Sequence, residues 1–214
     1  RSRVSVQPPA SGADAIRPAT GAPAVDLGHG LWMSAGVSNS YMLSTGEGRV
    51  IVNCGMGFEA GCHRAAFDAV DASPVHTIIL TQSHPDHFGG VDQFRAPATQ
   101  IVTQVGFPAL RREFESLQTF RSRNAAFAWS EAILAALAYA RKLGRELPAQ
   151  SSPDPTLVFE DELELTIGGR RLRLLSTPGG ETTDSLVVWL PASRTALTGN
   201  LFGPLFGHVP NLVT

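Results

Sequence analysis

Short apolar runs separated by turn residues recur along the chain from about residue 25, and they predict a protein built largely from strands. Residues 30–33, 39–44 and 49–52 are such runs, and Gly46-Glu47-Gly48 makes a turn between the last two. These segments predict an antiparallel meander. The run VHTIIL at 75–80 is apolar and rich in β-branched residues, which is typical of an inner strand.

Helical spacing of apolar residues occurs in two places. Between Glu59 and about Asp71 they recur at three- and four-residue steps, which predicts an amphipathic helix packed on the sheet. His63 falls on or near that stripe and is expected at a surface or boundary position, not as a metal ligand. The same spacing returns over about 106–148 and predicts a helical insertion after a strand at 99–103. It either covers one edge of the sheet as a lid or forms a packing layer or dimer face.

Strand patterns resume after the insertion, and the chain as a whole is therefore predicted to be α/β. Alternating or continuous apolar runs lie at 156–159, 163–167, 171–175, 186–190 and 195–198. By contrast, residues 1–24 are rich in Pro, Ala, Ser and Gly without periodicity, which predicts an extended arm or linker. Such an arm could wrap a partner subunit. The folded domain is expected over 25–214.

Composition narrows the possible partners. The chain has 214 residues and a formal net charge of −2, which favours one compact soluble domain and gives no basic excess for nucleic acid. No apolar run is long enough to span a bilayer. Cys54 and Cys62 are too few for a disulfide scaffold and are expected to be reduced. The compartment stays open, with the cytoplasm favoured over the periplasm or secretion.

The densest group of chemically active side chains directly follows the inner strand. Residues 81–90 read TQSHPDHFGG and place His84, Asp86 and His87 within four positions. Strands of an open α/β sheet deliver such residues to one edge, where ligands bind. Two imidazoles and a carboxylate this close together converge readily around a divalent cation, which offsets their crowding. The sequence therefore predicts a metal site.

This segment resembles the T-H-x-H-x-D-H signature of the metallo-β-lactamase superfamily, and its flanks are most similar to the type III alkylsulfatase branch. The resemblance implies an αββα sandwich in which His84 serves a first metal ion and Asp86 and His87 a second. Gln82 stands where the family has its first His. Because an amide oxygen is a weaker and harder ligand than imidazole, this change lowers affinity for zinc or favours manganese.

Two later segments extend the resemblance. The loop STPGGETTDS at 176–185 matches the T-P-G-x-E pattern of the alkylsulfatase branch, which implies that Glu181 completes the first metal site. Asn200 follows Gly199 where the family carries a bridging carboxylate. Asp184 matches no ligand position and is expected to cap a turn. A further family His lies beyond Thr214, with His208 as an alternative donor, so the sandwich is expected to be incomplete at its C-terminal end. A longer chain or another subunit, including a homo-oligomer, would complete it.

The resemblance implies a hydrolase in which one or two divalent ions activate water, with zinc expected and manganese or iron as alternatives. Asp86 would also orient that water. The substrate class is a small-molecule sulfate ester, or else a carboxylic ester, lactone or thioester, because fold does not fix chemistry. Two other hypotheses remain at this point. One is an iron-dependent oxidoreductase of the same superfamily, and the other is a degenerate binding module, which the amides at positions 82 and 200 favour.

Overall fold

The computed structural model describes residues 17–120 and 148–202, together with the isolated positions 123, 134, 137, 138, 141, 144 and 146. Strands predominate within these residues, as the apolar pattern predicts. The strands are β1 Val25–Gly28, β2 Leu31–Ser34, β3 Ser40–Thr45, β4 Gly48–Val52, β5 Val75–Ile79, β6 Gln100–Gln104, β7 Leu157–Phe159, β8 Glu162–Ile167, β9 Arg170–Ser176, β10 Leu186–Leu190 and β11 Thr195–Leu197. The helices are α1 Ala60–Asp68, α2 Pro85–Phe88, α3 Val91–Phe94 and α4 Phe107–Ser116.

The first seven strands form one mixed sheet in the order β1 to β7. Strands β1 to β4 pair antiparallel, which confirms the predicted meander, and β4 to β7 pair parallel. The apolar pattern did not predict β1. Three of its four residues are exposed at the edge of the sheet, so they carry little of the apolar alternation that marks the other strands.

The last four strands form a separate antiparallel sheet in the order β11-β10-β9-β8. Strand β8 alternates exposed Glu162 and Glu164 with half-buried Leu163 and Leu165, because only one face of this sheet is covered by the core. Gly168 and Gly169 make the β8–β9 turn with φ of 51° and 78°, a conformation that glycine adopts without steric cost.

Two apolar cores separate three layers. Val50 and Val52 of β4 point into the core between the two sheets, whereas Ile51 points into the core between the larger sheet and the helices. This is the alternation expected of a strand buried on both faces. The order of layers is therefore helices, seven-stranded sheet and four-stranded sheet, which is the metallo-β-lactamase-like sandwich that the sequence predicts.

The parallel strands bring three connections to one edge of the larger sheet. The segments after β4, β5 and β6 all leave from their carboxyl ends. The β9–β10 connection of the smaller sheet reaches the same edge, because the N–H of Leu186 donates to the carbonyl of Thr81 at 2.9 Å. Residues far apart in sequence thus meet there.

Two predicted segments are described only in part. Helix α4 is the first helix of the insertion predicted over 106–148, and most of the remaining residues to 147 lie outside the described part of the chain. Residues 17–24 of the predicted arm have no regular structure, but Ala19 is buried and its N–H donates to Glu59. The end of the arm that is described therefore packs on the domain.

None of the described helices combines the length and apolar character that a bilayer crossing needs.

Candidate metal centre

The loop after β5 carries the predicted ligands on a short helix. His84 is extended, with φ −79° and ψ 141°, and Pro85 then opens α2 at the position where a missing N–H costs no hydrogen bond. This turn places Asp86 and His87 in the first turn of α2. The His87 side chain is 1% exposed, whereas those of His84 and Asp86 are 19% and 25% exposed. His87 thus lies at the bottom of the site and the other two at its mouth.

The imidazole of His87 is held from behind by polar side chains of two strand ends. Its Nδ1 lies 3.0 Å from Thr81 Oγ1. Thr81 is held in turn by Asn53, whose Oδ1 accepts the Thr81 N–H at 3.0 Å and whose Nδ2 donates to Thr81 Oγ1 at 3.0 Å. Asn53 has φ 59°, which asparagine tolerates better than most residues. These bonds orient the ring.

The other nitrogen of His87 faces the site. Nε2 is buried, has no hydrogen-bond partner in the part of the chain that the structure describes, and lies 3.4 Å from Asp86 Oδ2. Burial lowers the pKa of His87 and outweighs the neighbouring carboxylate charges, so the ring is neutral at neutral pH. A neutral imidazole with a buried, unpaired nitrogen is the state in which histidine binds a metal ion.

Glu181, from the β9–β10 connection, meets His84 across the site. Its Oε2 lies 3.3 Å from His84 Nδ1 and accepts hydrogen bonds from Gln82 Nε2 and Asn200 Nδ2, each at 2.6 Å. Burial opposes ionisation of Glu181, but the contact with His84 and the hydrogen bonds from Gln82 and Asn200 outweigh it and lower its pKa to about 2. Glu181 is therefore an anion over the whole physiological pH range.

Asp184 is a residue of the site that the sequence did not identify. Its side chain is buried beside the loop after β5, where its charge acts on both His84 and His87. Burial raises its pKa above the ordinary value, although Thr182 Oγ1 donates to Oδ1 at 2.5 Å. The Thr182 bond belongs to a turn, as expected, but the burial was not foreseen because Asp184 matches no ligand spacing.

Helix α4 forms one wall of the site. The ring of Phe114 stands edge-on to His84 with centroids 4.8 Å apart. The chain that returns from the insertion lies against the metal loop, because Gln150 Nε2 donates to the carbonyl of Pro85 at 2.9 Å and Ser151 N–H donates to that of Gly89 at 2.8 Å. The start and the end of the insertion thus both contact this loop.

The expected surface position of His63 was wrong. Its side chain is fully buried on α1, where Nδ1 lies 2.8 Å from Ser34 Oγ and Nε2 lies 3.8 Å from Glu59 Oε1. The helical pattern alone does not show whether a histidine beside the apolar stripe lies at the boundary or is buried against a polar partner. His63 contacts Glu59 rather than the metal loop, and His208 lies outside the described residues.

The predicted donors form two pairs and not one cluster. His84 and Glu181 are one pair, and Asp86 and His87 are the other. In the part of the chain that the structure describes, no three His, Cys, Asp or Glu side chains are grouped closely enough to surround one ion. The residues nevertheless fit a cation at the second pair, because His87 Nε2 is buried and lacks a hydrogen-bond partner.

The layering, together with a His-Pro-Asp-His loop at the edge of the parallel strands, defines a sandwich of the metallo-β-lactamase type. Residues 33–209 match the model of the metallo-beta-lactamase superfamily, and the chain belongs to that superfamily. It is 25% identical to a linear primary-alkylsulfatase of Pseudomonas sp. (strain ATCC 19151), over 80% of this chain and 35% of the relative. The resemblance drawn from the motifs is thereby confirmed.

Solved structures show the same fold. A double mutant (S233Y F250G) of the sec-alkyl sulfatase PisA1 superposes with a TM-score of 0.58 at 19% identity, over 82% of this chain and 30% of that one. A metallo-beta-lactamase from Pontibacter korlensis superposes with a TM-score of 0.55 at 19% identity, over 82% of this chain and 69% of that one. The chain spans about a third of the length of the two alkylsulfatases.

Proposed function

We propose that this chain carries the metal-binding part of a hydrolase that cleaves a sulfate ester or a related ester with an activated water molecule. The observation that carries the proposal is the buried Nε2 of His87, which lies 3.4 Å from Asp86 Oδ2 and has no hydrogen-bond partner among the described residues. Membership of the superfamily supports a hydrolase-type chemistry. A divalent cation held there would lower the pKa of its bound water towards 7 and would polarise the bond to be cut.

Each residue then has a definite part in the reaction. His87 supplies a neutral imidazole, and the Thr81 hydroxyl fixes the orientation of its ring. Asp86 is a quarter exposed, so one carboxylate oxygen can accept a hydrogen bond from the attacking water and hold it in line with the ester. Glu181 adds a permanent negative charge on the opposite side of the site.

The preference for a sulfate ester comes from the similarity to the linear primary-alkylsulfatase, and one contact in the site agrees with it. The ring of Phe114 lies against His84 and gives the mouth of the site an apolar wall. An alkyl chain would gain free energy by covering that surface, whereas its charged end group faces the imidazoles.

The test is turnover of dodecyl sulfate, measured as released sulfate, beside turnover of p-nitrophenyl acetate. We expect activity to disappear with a chelator, to return with added zinc or manganese, and to be abolished in His87→Ala. His29→Asn is the matched control, since His29 is an exposed turn residue with φ 54° and asparagine accepts that conformation. A protein that binds metal stoichiometrically and hydrolyses neither substrate class would refute the proposal.

The amides of Gln82 and Asn200 favour a second candidate, a superfamily domain that no longer binds metal and serves as a binding module. Both donate to the carboxylate that would otherwise face a cation. The two functions separate on one measurement, because a binding module of this kind retains no metal ion after purification in the presence of zinc or manganese.

A further inference from the structure

The two donor pairs of the site differ in one respect that bears on the number of ions. We propose that the chain holds a single divalent ion, between His87 and Asp86, and that the amide group of Gln82 takes the place of a second ion between His84 and Glu181. This inference rests on the proposed function, because it assigns the metal of that same site.

At the first pair, Gln82 occupies the position that an ion would need. Its Nε2 lies 2.8 Å from His84 Nδ1 and 2.6 Å from Glu181 Oε2, so one NH₂ group bridges both would-be ligand atoms. An amide nitrogen has two hydrogens to donate, one for each acceptor. The amide nitrogen thus satisfies the imidazole and the carboxylate by hydrogen bonds, while the amide oxygen of Gln82 is buried without a hydrogen-bond partner among the described residues.

The orientation of these amides follows from the distances. If the oxygens of Gln82 and Asn200 faced Glu181 instead, each would lie 2.6 Å from a carboxylate oxygen, a repulsive contact for two acceptors. The nitrogens therefore face Glu181, and two neutral donors stabilise its charge.

At the second pair, His87 Nε2 and Asp86 Oδ2 are separated by 3.4 Å, nearly the same spacing as the 3.3 Å between His84 Nδ1 and Glu181 Oε2. Two ligands about 2.1 Å from a tetrahedral ion lie about 3.4 Å from each other. The difference is that His87 Nε2 has no hydrogen-bond partner among the described residues, whereas Gln82 bridges the first pair. A buried nitrogen without a hydrogen-bond partner costs free energy until a cation or a donor reaches it. The pair thus supplies two donors of an ion whose other positions are open to water and substrate.

The experiment counts bound metal in the complete purified protein by mass spectrometry after equilibration with zinc or manganese and desalting. We expect one ion per chain. Glu181→Gln should keep that ion. Its affinity, measured by calorimetry, should fall less than about tenfold, since Glu181 acts on His87 and Asp86 only through its charge. His87→Ala loses it. Asp86→Asn, a partly exposed position where folding is safer, weakens it, and circular dichroism checks the fold of each variant.

A gain-of-binding variant completes the design. Gln82→His with Asn200→Asp replaces the two bridging amides by metal ligands, and we expect the count to rise from one ion to two. Two ions in the unaltered protein, or loss of the ion in Glu181→Gln, would overturn the single-ion assignment and leave the hydrolase intact. A folded protein that binds no ion at all would overturn the proposed function itself.

Discussion

Glu59 anchors three backbone segments, and its removal gives the sharpest test of how the site is supported. The side chain is fully buried at the start of α1. Oε2 accepts the N–H groups of Ala19 and Val37, each at 2.9 Å, and Oε1 accepts that of Met56 at 3.1 Å. Glu59→Ala leaves all three donors without an acceptor and takes the negative charge from beside His63.

The magnitude follows from these contacts. A buried donor without an acceptor costs about 1–3 kcal/mol. Two of the three N–H groups are only partly buried, so water replaces some of the lost bonds. We therefore expect Glu59→Ala to lower the free energy of unfolding by about 3–5 kcal/mol, a large part of the 5–15 kcal/mol of a typical domain.

Urea unfolding followed by tryptophan fluorescence measures this loss. Glu47→Ala is the control, because Glu47 lies in the exposed β3–β4 turn and its removal should change the free energy by less than about 0.5 kcal/mol. A loss below about 1 kcal/mol in Glu59→Ala would refute the anchoring role, since it would mean that water satisfies all three donors equally well.

The same anchor has a pH dependence. Burial opposes ionisation of Glu59, but the adjacent His63 and the hydrogen bonds from backbone N–H groups outweigh it and lower the pKa below the ordinary 4.5. A carboxylate with a lowered pKa stabilises the fold above pH 4.5, and this stabilisation is lost as the pH falls through the folded-state value. The unfolding free energy of Glu59→Gln should therefore fall less between neutral and acid pH than that of the unaltered protein.

Three other predictions follow from single contacts. Thr81→Val removes the hydroxyl that orients His87, so metal affinity measured by calorimetry should fall about tenfold or more. Gly90→Ala would place a Cβ 2.2 Å from the Cβ of Ala60, so the melting temperature should fall, whereas Gly61→Ala on α1 meets Gln93 Oε1 only at 3.1 Å and should leave it equal or higher. As the pH falls from 4.5 to about 2, the unfolding free energy of the unaltered protein should fall more steeply than that of Glu181→Gln. The reason is that Glu181 stays ionised in the folded protein down to a pH of about 2.

Local patterns predicted most of the fold because each strand carries its own apolar run. The antiparallel meander and the inner strand at 75–79 were foreseen for this reason. The short edge strand β1 was missed, since an edge buries too little to impose alternation. The burial of His63 was also missed, because its partner Ser34 is 29 residues away and no local pattern records that contact.

The site also has a part that the local sequence predicts and a part that it does not. The position of His84, Asp86 and His87 follows from a strand that ends in a loop, and this could be predicted locally. The contact of Gln82 with Glu181 joins two sheets, and only the resemblance to a family placed them together. That the amide nitrogen of Gln82 faces Glu181 is a contact between two distant loops, and no pattern of residue types contains it.

The parallel pairing of β6 with β7 has a consequence for how this protein can diversify. Residues 105–156 leave the sheet after one strand and return to its neighbour, so their length does not set the register between the two strands. Helix α4, at the start of that excursion, supplies the ring that stands against His84. We therefore expect that the connection between β6 and β7 can be replaced, by evolution or by design, without changing the pairing of these strands. Such a replacement would change access to the site beside His84.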